Sequence, residues 1–167
     1  QDRPDFRMRD TELLIRYIAF RNFILNYKGN LKAFLDQSCK ILNDEWGQWE
    51  GEIRRQTREL SDIHDAVRNV FNSNAYHKWN YNTFENRFNR AIFDIMLYSF
   101  REKHNREVLV ENSDKVINLF KNLCSGNPDF MSSIEQTTKS MDAIATRYSL
   151  WAESLNQELG LQLPLLQ

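Results

Sequence analysis

The chain of 167 residues carries 22 Lys and Arg against 23 Asp and Glu, so its formal net charge is −1. Its length predicts a single domain, and 41% hydrophobic with 27% charged residues is typical of globular proteins rather than disordered or fibrous ones. With only 5 Gly and 3 Pro the chain has few turn residues for an all-β fold, its apolar runs are too short to span a membrane, and its charge gives no global case for nucleic-acid binding.

Helical spacing of apolar residues dominates the first 71 positions. It predicts a helix over 9–26 with Asp10 as N-cap, and a second helix from Asn30, which caps it, through Leu42. Residues 44–71 combine an apolar stripe with a face of mixed charges, which predicts one long central amphipathic helix.

The middle of the chain is predicted as an ordered loop followed by a helix. Residues 72–82 are polar and rich in Asn, which favours a loop, and Asn82 or Thr83 is the predicted cap of the next helix. That helix is expected to end at 104–105, and residues 108–110 are the only candidate for extended structure. Its broad apolar face consists of Phe84, Phe88, Ile92, Ile95, Met96 and Phe100.

Three further helices complete the prediction. The first is capped by Ser113 and runs through Leu123, a short one covers 129–135, and the last covers 141–159 with Gly160 as its stop. We therefore predict an all-α fold, an irregular bundle of five to seven helices around one long central helix, as a single domain over residues 1–167.

Residue types that carry chemistry are scattered. His64, His77 and His104 are far apart and lack a metal-binding spacing, and the sequence has no glycine-rich phosphate loop and no nucleophile signature. We predict no catalytic residue, metal or cofactor in this segment; the alternative is a general base at His64 or His104. Cys39 and Cys124 have apolar neighbours and are predicted to be buried, reduced thiols of a cytosolic protein rather than catalytic or bridging ones.

The small net charge conceals a basic middle and an acidic end. Residues 77–106 carry six basic and three acidic residues, a net charge of +3, whereas residues 107–167 carry four basic and eight acidic residues, a net charge of −4. Basic side chains could hold phosphates while nearby aromatic rings stack on bases, although core aromatics below a solvated face would give the same letters. The nucleic-acid candidates are Lys78, Arg87 and Arg90, beside Tyr76, Trp79 and Tyr81.

The first predicted helix opens with an unusually charged turn. Arg9, Glu12 and Arg16 are spaced to share one side of the helix, next to Asp10. They form either a solvated salt-bridge face or a face that meets a partner domain or an anionic ligand, because Arg suits carboxylate and phosphate.

Four segments resemble, in order, those of GmrSD-like proteins, which are bacterial restriction and phage-defence proteins. Residues 7–20 (RMRDTELLIRYIAF) resemble the family helix Arg-Met-Lys/Arg-Asp-x-Glu-Leu-x-x-Arg-Phe-x-Ala, and residues 27–36 (YKGNLKAFLD) resemble Tyr-x-Gly-x-Met-Lys-x-Phe-Leu-Asp. Residues 89–94 (NRAIFD) resemble Asn-x-Ala-Leu-Phe-Asp, and residues 147–151 (RYSLW) are similar to the closing helix.

The resemblance implies the helical second part of such a protein. The family's Asp-Gly-Gln-Gln-Arg type motif, carried by a ParB/sulfiredoxin-like N-terminal domain, does not occur in this sequence, and neither does the HNH-type nuclease module. Because the sequence begins at Gln1 rather than Met, we expect an excised piece of a longer chain or a processed product.

This expectation sets the predicted function. The chain would be a non-catalytic, cytoplasmic domain that supports a nucleotide-binding domain of the same parent protein, with DNA and an HNH-type nuclease as further candidate partners. Arg9, Asp10, Glu12 and Arg16 match the polar family motif and are assigned to the seam with the N-terminal domain. The alternative is a free-standing helical module that binds DNA or a protein.

Overall fold

The computed structural model describes residues 9–136 and 138–166, apart from the side chain of the first of them. These residues contain eight α-helices and one two-stranded antiparallel sheet, which confirms the all-α prediction apart from that small sheet. The helices are α1 (Arg9–Phe23), α2 (Leu31–Asp44), α3 (Trp46–Phe71), α4 (Arg90–Phe100), α5 (Lys103–Glu111), α6 (Ser113–Gly126), α7 (Pro128–Glu135) and α8 (Met141–Leu159), and the strands are β1 (His77–Asn80) and β2 (Thr83–Phe88).

The chain divides into two compact units, residues 1–58 and residues 59–167, and the boundary falls within α3. In the first unit an aromatic cluster joins α1 to α2, where the rings of Phe20 and Tyr27 both lie 5.2 Å from the ring of Phe34. The predicted cap at Asn30 is confirmed, because its side chain accepts a hydrogen bond from the amide of Ala33 at 3.1 Å. Gly29, just before the cap, has φ 82°, a left-handed conformation that favours glycine.

A buried amide pair joins α1 to α3 within the first unit. Gln56 is 1% exposed, and its side-chain amide exchanges two hydrogen bonds with that of Asn22, at 2.7 and 2.8 Å. Each amide uses both its NH₂ group and its oxygen, so the polar residue Gln56 can be buried within the apolar stripe of α3 with its hydrogen bonds satisfied.

In the second unit, α4 is the most buried helix, with nine buried residues. It packs against α8, where Trp151 donates from Nε1 to the hydroxyl of Ser99 at 3.0 Å and Arg147 pairs with Asp94. The predicted last helix is confirmed at both ends, since α8 spans Met141–Leu159 and Gly160 follows it with φ 67°.

The prediction of a helix that starts at Asn82 or Thr83 is wrong for its first turns. Residues 77–88 form a β-hairpin instead, with Trp79 opposite Phe84 across the strands, and α4 begins only after its cap at Asn89. A spacing of four places residues on one face of a helix and also on one face of a strand, so Phe84 and Phe88 fit both patterns. The aromatic contact between Trp79 and Phe84, with centroids 5.1 Å apart, stabilises the hairpin.

The predicted end of that helix at 104–105 and the extended candidate at 108–110 are also wrong. Helix α4 ends at Phe100, where the Arg106 guanidinium donates to the carbonyl oxygens of Phe100 and Arg101 at 3.1 and 2.7 Å. A new helix, α5, then covers residues 103–111, so there is one helix more than the largest predicted number. Leu109 faces the core and is fully buried, so the apolar segment 108–110 is part of a helix and not of a strand.

Two predicted caps differ from the structure. The N-cap of α6 is Asn112, and Ser113 instead donates from its hydroxyl to the carbonyl of Val110 at 2.6 Å. Helix α1 already includes Arg9, so Asp10 lies within its first turn and is not its N-cap. Its negative charge there interacts favourably with the positive end of the helix dipole.

Candidate functional site

The charged start of α1 is divided between surface and core. Asp10 is exposed and Glu12 is half-buried, whereas Arg16 is only 4% exposed and its guanidinium carbon lies 5.1 Å from the ring centroid of Phe20. The side chain of Arg9 lies outside the described residues. Among the three seam side chains that the structure describes, Asp10 and Glu12 are therefore accessible, while Arg16 belongs to the aromatic packing of the first unit.

Lys78, the first nucleic-acid candidate, is held inside a cluster of carboxylates. Its side chain is 12% exposed and its ammonium pairs with Glu85 across the hairpin at 2.6 Å and with Glu135 at the end of α7. Burial alone would lower the pKa of Lys78, but the hydrogen bonds to Glu135 and Glu85 outweigh it and raise the pKa. Its charge is thus compensated locally, and Lys78 connects the hairpin to α7.

The three aromatic candidates, Tyr76, Trp79 and Tyr81, are likewise divided between core and surface. Tyr76 is buried and Trp79 packs on Phe84 below the ammonium of Lys121, which lies 4.3 Å from the Trp79 ring. Tyr81, at the tip of the hairpin, is 61% exposed and adopts a left-handed conformation with φ 53°. Among these three, only Tyr81 presents most of its ring to solvent.

Arg87 on β2 and Arg90 at the start of α4 are both exposed. Together with Tyr81 they are the exposed residues among the six nucleic-acid candidates named from the sequence. We call Tyr81, Arg87 and Arg90 the hairpin surface.

His64 has a partner that the sequence did not reveal. Its Nδ1 lies 2.9 Å from the hydroxyl oxygen of Tyr76, and the two rings are stacked with centroids 5.6 Å apart. Burial lowers the pKa of His64, the nearby Arg68 lowers it further and Asp65 raises it, while burial also raises the pKa of Tyr76. A neutral imidazole hydrogen-bonded to a neutral phenol fixes the start of the hairpin on α3.

The sequence also missed a polar groove between α7 and α8. This groove has a volume of about 480 Å³ and its lining has three carboxylates and five hydroxyls but no imidazole and no thiol. The net charge of −4 over residues 107–167 was its only signal in the sequence. The lining residues are Asp129, Ser132, Ser133, Ser140, Asp142, Ala143, Thr146, Ser149, Leu150 and Glu153.

Two further features bear on chemical reactivity, the state of the two thiols and the grouping of the possible metal ligands. Both cysteines are free; Cys124 is buried, as predicted, whereas Cys39 is only half-buried. Burial raises the pKa of the Cys124 thiol to about 12, so it is protonated and unreactive at neutral pH. Within residues 9–136 and 138–166, no cluster of three His, Cys, Asp or Glu side chains could hold a metal ion.

The described residues form a mainly helical fold with one β-hairpin between α3 and α4. None of the helices in the described ranges is both long enough and apolar enough to cross a membrane. No protein-family model matches the chain, and comparisons with curated proteins and with solved structures found no similar protein.

Proposed function

We propose that the chain is a non-catalytic helical domain of a GmrSD-like restriction and phage-defence protein, located in the cytoplasm. In this proposal it supports a nucleotide-binding domain of the same parent protein through the start of α1. DNA and an HNH-type nuclease are further candidate partners.

The observation that carries the proposal is the buried ion pair between Asp94 and Arg147. Asp94 closes the third resembling segment and Arg147 opens the fourth, and although they are 53 residues apart in sequence they meet in the core. Arg147 also donates to the carbonyl oxygens of Ser133 and Thr138, at 3.2 and 2.8 Å. Two segments of the resemblance thus form one scaffold, which supports a structural role for this part of the parent protein.

Activity of the purified chain tests the non-catalytic part of the proposal. The chain should show no cleavage of plasmid DNA and no hydrolysis of nucleoside triphosphates with Mg²⁺ or Mn²⁺. Metal-dependent turnover that co-purifies with the chain and disappears in His64→Gln or His104→Gln would contradict it.

The parent gene tests the assignment to the family. An Asp-Gly-Gln-Gln-Arg type motif should be encoded upstream of residue 1 in the same reading frame. If the reading frame opens at residue 1, the assignment fails.

The seam is tested by binding of the parent's N-terminal domain. Reversal of the charges at Asp10 and Glu12 to Lys should weaken capture of that domain by the chain. The matched control reverses Asp36 and Asp44, two exposed acidic residues of α2, and changes the net charge by the same amount. Equal losses in both variants would show a general charge effect and would remove the seam from the proposal.

The hairpin surface supports a second candidate function, a free-standing DNA-binding module. Arg87 and Arg90 are exposed, and Tyr81 offers an exposed ring for stacking on a base. Gel-shift titrations at several salt concentrations give the slope of the logarithm of the DNA-binding constant against the logarithm of the salt concentration. The magnitude of this slope should decrease by about 2 in R87A/R90A, because two phosphate contacts are removed. The control K32A/K40A removes two exposed charges from α2; an unchanged slope in R87A/R90A, or an equal change in the control, would reject this surface.

A further inference from the structure

Residues 160–166, which we call the tail segment, fold back along α8 after its end. Gly160 reverses the chain with φ 67°, and the residues that follow have no helical or sheet structure of their own. Three side chains hold the tail segment: Asn156 and Ser149 on α8, and Tyr98 on α4. We call these three residues the tail site.

Every polar contact of the tail site goes to the main chain of the tail segment. Asn156 donates from Nδ2 to the carbonyl of Leu163 at 2.9 Å and accepts from the amide of the same residue at 2.8 Å. This double contact is the one that a neighbouring antiparallel strand would make. Ser149 donates to the carbonyl of Leu166 at 2.6 Å, and Tyr98 donates to the carbonyl of Pro164.

The spacing of these contacts shows that the tail segment is extended. Asn156 and Ser149 are seven residues apart on α8, which corresponds to about 10.5 Å along the helix. Their partners Leu163 and Leu166 are three residues apart, which corresponds to about 10 Å in an extended chain. The two distances agree, and the order of the contacts makes the tail segment antiparallel to α8.

Over residues 161–164 the side chains of the tail segment alternate between core and solvent, and beyond them Leu165 is 42% exposed. Leu161 and Leu163 are 7% and 4% exposed, whereas Gln162 and Pro164 are exposed. Main-chain hydrogen bonds combined with burial of every second side chain are the pattern by which proteins bind extended peptides.

We propose that the tail site is a peptide-binding site that the tail segment occupies within its own chain. Its other occupant is an extended segment of another protein chain with leucines two positions apart. The hydrogen bonds are made to main-chain groups and the buried groups are two leucine side chains, so none of these contacts requires a covalent connection to α8. This inference does not depend on the function proposed above.

A peptide with the sequence of residues 160–167, GLQLPLLQ, labelled with fluorescein, tests the proposal by fluorescence anisotropy. The 167-residue chain carrying L161S/L163S, whose own tail segment is weakened, should bind the peptide saturably. The natural chain should bind it at least tenfold more weakly, because its tethered segment competes at an effective concentration on the order of millimolar. A peptide carrying Ser in place of its second leucine should not bind.

The contact at Asn156 gives the specific control. Adding Asn156→Ala to the receptor removes two hydrogen bonds and should weaken binding roughly tenfold. The same change at Asn122, an exposed residue of α6, should leave the affinity unchanged. A folded L161S/L163S receptor that fails to bind, or that binds both peptides equally, overturns the proposal.

A second measurement uses the natural chain and decides the question if the variant does not fold. Excess peptide should displace the tail segment and accelerate hydrogen exchange at the amide of Leu163, while exchange in the core of α8 stays unchanged. No acceleration at peptide concentrations of tens of millimolar, well above the roughly millimolar effective concentration of a tethered segment, overturns the proposal.

Discussion

The buried ion pair makes the sharpest prediction about stability. Arg147 has a side-chain exposure of 0% and Asp94 of 1%, with Nη2 and Oδ2 3.4 Å apart. The substitution Arg147→Met keeps much of the side-chain length but removes the guanidinium, so a buried carboxylate loses this positive partner. The carbonyl oxygens of Ser133 and Thr138 lose a donor at the same time.

The expected cost is large for a single substitution. Removing one partner of a buried pair destabilises a protein by about 3 to 5 kcal/mol. For a chain of this length that corresponds to a fall in melting temperature of roughly 6 to 20 °C. Arg147→Lys should recover only part of the loss, because an ammonium cannot reproduce the planar fork that contacts two carbonyls and a carboxylate.

Urea unfolding followed by circular dichroism measures the effect, and a double-mutant cycle isolates the pair. Asp94→Asn, Arg147→Met and the combined variant should give a coupling energy of about 1 to 3 kcal/mol. The control Lys32→Ala removes one partner of an exposed pair, 3.7 Å apart with the Lys side chain 91% exposed, and should cost at most about 1 kcal/mol. The reasoning is refuted if Arg147→Met costs no more than Lys32→Ala, or if the two single changes simply add.

Three further predictions concern the hairpin, its junction with α3 and the end of α8. Lys78→Met should lower the free energy of unfolding by only about 1 kcal/mol at pH 7, because its partners Glu85 and Glu135 are partly solvated. Because the pKa of Lys78 is raised in the folded state, its contribution to stability should persist below the ordinary lysine pKa and disappear as the pH rises beyond it. A difference between the variant and the unsubstituted chain that does not change with pH in urea unfolding would contradict this. The lowered pKa of His64 means that the unfolded chain binds its proton first, so stability should fall as the pH drops below about 6.5, and the fall should be smaller in His64→Gln; equal pH profiles would exclude His64 as the source. Gly160→Ala should lower the free energy of unfolding by about 1 to 2 kcal/mol, measured by thermal unfolding. The cost comes from the left-handed φ alone, because no atom lies within 4 Å of an added Cβ. An unchanged melting temperature would mean that the turn relaxes.

The sequence predicted best those helices whose ends have local signals. Helix α8 ends before Gly160, and α2 is capped by Asn30, and in both cases the stop or cap lies in the few residues that form it. The short α7 follows the same rule, because Pro128 occupies its first turn and Asn127 accepts a hydrogen bond from the amide of Phe130.

The hairpin could not be predicted because its local signals are weak or ambiguous. Its turn at Tyr81 uses a left-handed conformation without a glycine, so the usual turn residue is missing. The spacing of Phe84 and Phe88 is compatible with a helix, and the strand is favoured by contacts with residues outside that spacing: Phe84 stacks on Phe120 at 6.4 Å, and Phe88 contacts Tyr76 at 5.6 Å.

The pairing of Lys78 could not be predicted for a related reason, because the sequence gives the charge of a residue but not its distant partners. Lys78 contributed to the basic stretch, yet Glu135, which compensates it, lies 57 residues away in the acidic part of the chain. The contact between Asn156 and Leu163 spans only seven residues, but a side-chain amide that binds an extended main chain has no distinctive sequence pattern.

The surfaces proposed for partner, DNA and peptide can be separated experimentally because they use different residues. Arg147→Met should weaken all binding in proportion to the unfolded fraction, since it acts on the scaffold. Changes at Asp10, Arg87 or Asn156 should each affect one kind of binding, and for Asp10 and Arg87, which are exposed, the unfolding midpoint should move little. A loss of binding that is restored at lower temperature would therefore indicate instability, whereas a loss that persists in the fully folded protein would identify the contact itself.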